Sequence, residues 1–172
     1  MPLTRTQVGS MAEDGALLME WSVGDQVGMF GGNTVNAPFT GNHTAPAAQT
    51  TFLGSIASGD VPQYAYYPYN EQAVNLQSIP VVIPTEQAYA DVNSIAAYDV
   101  KATDVITDMG NGTYQLNMRQ MVSLVRFEIS LTGVDGLSTD EKLQRVELKT
   151  GAPVTGSYTY DLTCLLYTSP SP

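Results

Sequence analysis

The side chains able to do chemistry are few and far apart in this sequence. His43 is the sole histidine and lies in a Gly/Asn/Thr/Pro-rich stretch between residues 32 and 49. A metal centre or nucleophile–base pair built on histidine needs an orienting carboxylate and a buried setting. Nothing near His43 in sequence offers either, so it reads as a solvated loop histidine. Asp99, Asp104 and Asp108 crowd one stretch, yet lack the D-x-D-x-D-G spacing and closing Glu of a calcium loop. Solvated strand ends account for them. GxSxG, HExxH, CxxC, Walker and GxGxxG patterns do not occur. A glycosidase would need two carboxylates facing each other ~5–9 Å apart, and no pair announces itself. The expectation is of no catalytic residue, no metal and no cofactor.

One local feature could grip a ligand. Tyr64, Tyr66, Tyr67 and Tyr69 fall within six residues, YAYYPY. On a strand, Tyr64 and Tyr66 share one face and Tyr67 and Tyr69 the other. Aromatic rings in a row can stack on sugars, the chemistry of a glycan adhesin. The same rings can instead fill a core on one face and pack across strands on the other.

Charge narrows the partners. Seventeen acidic against seven basic residues give a net charge of −10. Nucleic-acid binding rests on Lys and Arg displacing counterions, so DNA and RNA are unsuitable partners, as are anionic lipid surfaces. No run of apolar residues is long enough to span a bilayer as a helix, so no membrane insertion is expected. Charged residues make up only 14%, below the ~25% of an average soluble domain. Thr, Ser, Asn, Gln and Gly supply the remaining polarity, which together with ten Tyr suits strands and turns.

The elements that must position these residues read as short strands. Leu3–Val8, Gln26–Gly31, Thr50–Ile56, Gln63–Tyr69, Ser78–Ile83, Ala97–Ala102, Gln144–Lys149 and Gly156–Thr163 are candidates, while 32–49 reads as loop. Met11–Trp21 reads as helical or irregular, broken at Gly15. Asn111-Gly112 predicts a hairpin joining Asp104–Asp108 to Tyr114–Met118. Val125, Phe127, Ile129 and Leu131 alternate with Arg126, Glu128 and Ser130, the clearest period of two in the chain. Gly133–Gly136 follows as a turn. Ser138-Thr139-Asp140-Glu141 is a capping box and predicts one helical turn leading to Leu143. The sum is an all-β fold of two packed antiparallel sheets, a β-sandwich with one or two short helical turns.

Both termini look truncated. No charged segment followed by an apolar one opens the chain, and Leu3–Val8 already reads as strand, so the true start is expected upstream. From Cys164 the texture changes to CLLYTSPSP. That string resembles either translated sequencing-adapter read-through or a Pro-rich linker. One domain over residues 1–163 and a tail over 164–172 are therefore expected, with no chemistry placed on Cys164, the sole cysteine.

Several pieces in order resemble the fimbrillin family. Trp21–Phe30 (WSVGDQVGMF) is similar to its W-x-x-G-D-x-(I/V)-G-x-F element. Phe52, Tyr64–Tyr69, Ile83-Pro84-Thr85-Glu86-Gln87, Met121–Ile129 (MVSLVRFEI), Leu143–Leu148 and Gly156-Ser157-Tyr158 follow in the family's order. The resemblance covers nearly all of residues 3–163. It implies the N-terminal one of two tandem transthyretin-like Greek-key sandwiches, in a surface fimbrial subunit of anaerobic Gram-negative bacteria. It further implies export as a lipoprotein, trimming by an Arg-specific protease and assembly by donor-strand exchange. The partners would be other fimbrial subunits and, in adhesion, host glycans or proteins. The signal peptide, its lipidated Cys and the C-terminal domain that supplies the donor strand are not in this sequence. By resemblance Arg5 stands near the maturation site; otherwise it is a solvated strand arginine. A tip adhesin using the Tyr row and a secreted carbohydrate-active enzyme are the alternative functions.

Overall fold

The computed structural model describes residues 6–11, 17–88, 92–125, 127, 129, 142 and 144–164. Arg5, the turn at 133–136, the capping box at 138–141, Leu143 and residues 165–172 lie outside them. The described chain is all-β, with antiparallel pairing throughout and only two short 3-10 turns, in a sandwich-like arrangement.

Ten strands form among the described residues: β1 (Gln7–Met11), β2 (Leu17–Glu20), β3 (Gln26–Gly31), β4 (Thr34–Gly41), β5 (Phe52–Leu53), β6 (Tyr64–Tyr67), β7 (Ile79–Ile83), β8 (Lys101–Gly110), β9 (Thr113–Gln120) and β10 (Gly156–Tyr160). Six of them make one sheet in the order β5-β4-β3-β6-β8-β9. β7 pairs with β10, and β1 with β2, as separate two-stranded sheets.

The alternation of β6 shows why the layers stack as they do. Successive side chains point to opposite faces, so the tyrosines split. On one face Tyr66 joins Phe30 and Ala102 against Ala73, Ile79 of β7 and Leu162, with Tyr64, Leu76, Met121 and Tyr160 packed around them. The β7–β10 pair thus covers one side of the large sheet. On the other face Tyr67 joins Trp21 and Val27, flanked by Phe39, Phe52 and Met118. Trp21 meets Phe52 and Tyr67 edge-on, at ring separations of 4.9 and 5.1 Å, the arrangement aromatic quadrupoles favour.

The hairpin signal is realised. β8 and β9 pair from Lys101↔Gln120 to Gly110↔Thr113. Asn111 and Gly112 both take positive φ, 54° and 74°, as a two-residue turn matched to strand twist requires.

Other expectations need correction. The supposed loop at 32–49 contains β4, an eight-residue strand. Pro38 and Asn36 disguise it. Among the described residues, β5 pairs β4 only at Thr40 and Gly41, so Pro38 sits where the outer side has no ladder and a missing N–H is tolerated. The strand expected over Thr50–Ile56 shrinks to Phe52–Leu53. Strand at Ala97 gives way to a 3-10 turn, Val92–Tyr98, before β8 starts at Lys101. Within Met11–Trp21, expected to be helical or irregular, Leu17–Glu20 form the strand β2, and residues 12–16 lie outside the described ones. Val125, Phe127 and Ile129 belong to no strand and are 60, 50 and 50% exposed; the residues between them lie outside the described set. Residues 144–149 form no strand either. A period of two marks a face that needs a sheet, and neither segment pairs with one among the described residues. At the far end β10 stops at Tyr160, and Leu162–Cys164 closes as a 3-10 turn with Leu162 buried.

Candidate functional site

The chemically richest place is a closed cluster beneath Trp21. It begins with a local turn. Gly24 takes φ 87°, which lets Asp25 fold back: its N–H donates to Ser22 O at 3.0 Å and its Oδ2 accepts from Ser22 N–H at 2.8 Å. The Gly-Asp of W-x-x-G-D is thus a turn with a carboxylate cap, delivering Trp21 to one side and β3 to the other. Trp21 is fixed further by paired backbone bonds to Ala47 at 2.8 and 3.1 Å.

Tyr67 crosses the cluster. Its hydroxyl donates to Asp25 Oδ1 at 3.1 Å and accepts from the Thr6 backbone N–H at 2.7 Å. The Thr6 hydroxyl, Lys101 Nζ and Gln120 Nε2 all donate to the Asp99 carboxylate. Side chains of Lys101 and Asp99 are 12% and 0% exposed. The Lys101 ammonium also stands 5.0 Å from the Trp21 ring centroid and 5.4 Å from that of Tyr67, a cation–π contact on two rings. Five elements converge: the head of β1, the 21–25 turn, β6, the start of β8 and the end of β9.

Burial dominates the electrostatics. Desolvation raises the Asp25 carboxyl above its ordinary value of 3.8, against the opposing pull of the Ser22 N–H, the Tyr67 hydroxyl, Lys101 and His43. Desolvation likewise pushes the Tyr67 phenol far up, reinforced by the Asp25 charge. Tyr66 rises to about 12, again mainly by burial; its hydroxyl donates to Asn36 Oδ1 at 2.8 Å and accepts the Asn70 N–H at 3.0 Å. Both carboxylates, Asp25 and Asp99, are closed to solvent. Among the described residues, the cluster turns both carboxylates away from solvent and toward hydrogen-bond donors.

The expected site residues fall as follows. Tyr66 and Tyr67 are interior, while Tyr64 and Tyr69 are half-buried, so the four rings form no ligand platform. Core packing on both faces, the other reading of those tyrosines, describes β6. Asp99 is not a solvated strand end but the most heavily bonded carboxylate of the cluster. Asp104 and Asp108 remain exposed on β8, Asp108 accepting the Gly110 N–H at 2.7 Å. His43 is half-buried rather than solvated: Nδ1 meets Thr50 Oγ1 at 2.8 Å, and Nε2 is closed off without a partner among the described residues. Cys164 is exposed in the closing turn, its Sγ 3.4 Å from Asp161 Oδ2. Among the described residues no group of three or more His, Cys, Asp or Glu is arranged to hold a metal. Lys101, Thr6 and Gln120 were not foreseen. The one sequence signal for Lys101 is its two-residue spacing from Asp99, which puts both on one face where a strand begins.

A second feature is a groove of ≈ 330 Å³ at the β3–β4 end of the sandwich, lined by Phe30, Val35, Gln63, Val74, Asn75 and Leu76 among others. No helix among the described residues is long and apolar enough to cross a membrane. Comparison with protein-family models, with curated proteins and with solved structures returned no match to this chain.

Proposed function

We propose that this chain is a structural subunit of a surface fimbria that contributes to adhesion and is assembled by donation of a strand from a neighbouring subunit. One observation carries the reading. Among the described residues, the layer covering the Phe30–Tyr66 face of the large sheet has two strands, β7 and β10, which pair with each other alone. Both outer edges of that layer therefore offer backbone N–H and C=O groups to an incoming strand. A groove of mixed polar and apolar lining opens beside Phe30, Val74 and Leu76, and Phe30 and Leu76 pack in the core cluster that this layer covers. The order of motifs from Trp21 to Tyr158, which resembles the fimbrillin pattern, supports the same reading. The interior position of Tyr66 and Tyr67 favours a packing role over a tip adhesin that stacks sugars on this row.

The test is assembly. The mature full-length gene product, treated with an Arg-specific protease, is run unboiled on SDS gels. A ladder of SDS-resistant oligomers is the expected result. A product that stays monomeric overturns assembly by strand exchange.

A further inference from the structure

A different edge carries a separate inference, independent of strand donation. β9 ends the six-stranded sheet, and among the described residues no strand pairs with its outer side. Proteins guard such edges with proline, charge, bulges or brevity. The opposite end of this sheet is guarded in that way, by the two-residue β5 and by Pro38 in β4. β9 is not guarded. It runs eight residues, Thr113–Gln120, with no proline and no carboxylate. In a chain of net charge −10, an edge strand without an acidic residue lets two copies approach with no carboxylates opposed across the seam. The outer half of β8 is the contrasting case. Among the described residues β8 pairs with β6 at Ala102 and Lys101 alone, and its outer half carries Asp104 and Asp108, which would oppose their own copies.

β9 is also self-complementary. Tyr114, Leu116 and Met118 share the half-buried face, and Thr113, Gln115 and Asn117 the exposed one. Ile106 of β8 lies opposite Leu116 and continues the apolar stripe. When two β9 strands run antiparallel about a two-fold axis through Leu116, Leu116 faces its own copy. Tyr114 then faces Met118, Gln115 faces Asn117, and Thr113 faces Arg119. Every apolar residue meets an apolar one, and no charge meets its like.

We propose that β9 is a homotypic docking edge at which a second copy of this chain adds, in the Leu116-centred register, to make one continuous twelve-stranded sheet. Its test is sedimentation of the 172-residue chain up to about 1 mM, a range in which weak edge pairing registers, for the wild type and two charge variants. Gln115 and Asn117 are exposed, so both variants keep the fold. Q115K/N117K sets Lys against Lys across the axis and should weaken the dimer at least about tenfold. Q115K/N117E sets Lys against Glu and should match or exceed the wild type. A wild type that stays monomeric throughout overturns the proposal, as does an equal effect of the two variants. Amide exchange on the unmodified chain is the second reading. Protection over 113–118 that rises with chain concentration supports the docking edge; protection independent of concentration overturns it.

Discussion

At the scale of single residues, the cluster beneath Trp21 converts burial into two measurable sensitivities. Lys101 and Asp99 are a buried ion pair. Removing one partner strands the other charge, which typically costs about 3–5 kcal/mol. Lys101→Met should therefore lose stability of that order in urea unfolding. Adding Asp99→Asn should recover part of it, because the residual charge is gone while Thr6 keeps an acceptor. Asp25 responds to pH. Its folded-state proton affinity is raised above the ordinary 3.8 by desolvation, so the folded chain binds that proton more tightly than the unfolded chain. The contribution is fully present below the unfolded value and is lost as pH rises through the raised folded value. Asp25→Asn removes this dependence. The difference in melting temperature between wild type and variant should shift in favour of the wild type as pH falls through that window. A difference independent of pH would contradict the assignment.

At the scale of elements, β3 and β6 meet at a close junction. Gly28 lies opposite Tyr66, and a Cβ there would stand 2.2 Å from Tyr66 Cε1 and 2.6 Å from Asn36 Oδ1. Both neighbours belong to the buried bonding of the Tyr66 hydroxyl. Gly28→Ala should therefore cost about 3 kcal/mol, the upper part of the usual overpacking range, measured as a lowered urea midpoint with unchanged slope. Within Trp21–Phe30, six residues each have a definite duty. Trp21 roofs the cluster, Gly24 and Asp25 make the turn, Val27 fills one face, Gly28 admits Tyr66 and Phe30 fills the other face. Those duties explain why such a pattern can be read in one dimension: each depends on spacing along one turn and one strand.

At the scale of the whole molecule, the net charge of −10 is the leading long-range term. Among the described ion pairs, Lys101–Asp99 is buried, and Arg145–Glu147 is exposed at 4.0 Å, where it contributes little. Surplus negative charge thus repels itself across the surface. Raising salt from about 0.01 M to about 0.15 M shortens the screening length from about 30 to about 8 Å. The melting temperature should rise over that interval. A fall would mean that attractive surface pairs outweigh the repulsion.

The sequence alone determined the class of fold, through its Gly/Pro/Asn punctuation, its strand-forming composition and its lack of helical periodicity. It also placed β3 residue for residue and located the Asn111-Gly112 hairpin, because both signals are local. The tertiary structure alone decided which alternating segments find a sheet. Val125, Phe127 and Ile129 alternate better than β4 does, yet β4 pairs with β3 while they pair with no strand among the described residues. Only tertiary structure joined Thr6, Asp25, Tyr67, Asp99, Lys101 and Gln120, residues separated by up to 93 positions in a bonded pair. Period and propensity act between neighbours, whereas ion pairing, desolvation and strand pairing are settled by which distant segments share a face.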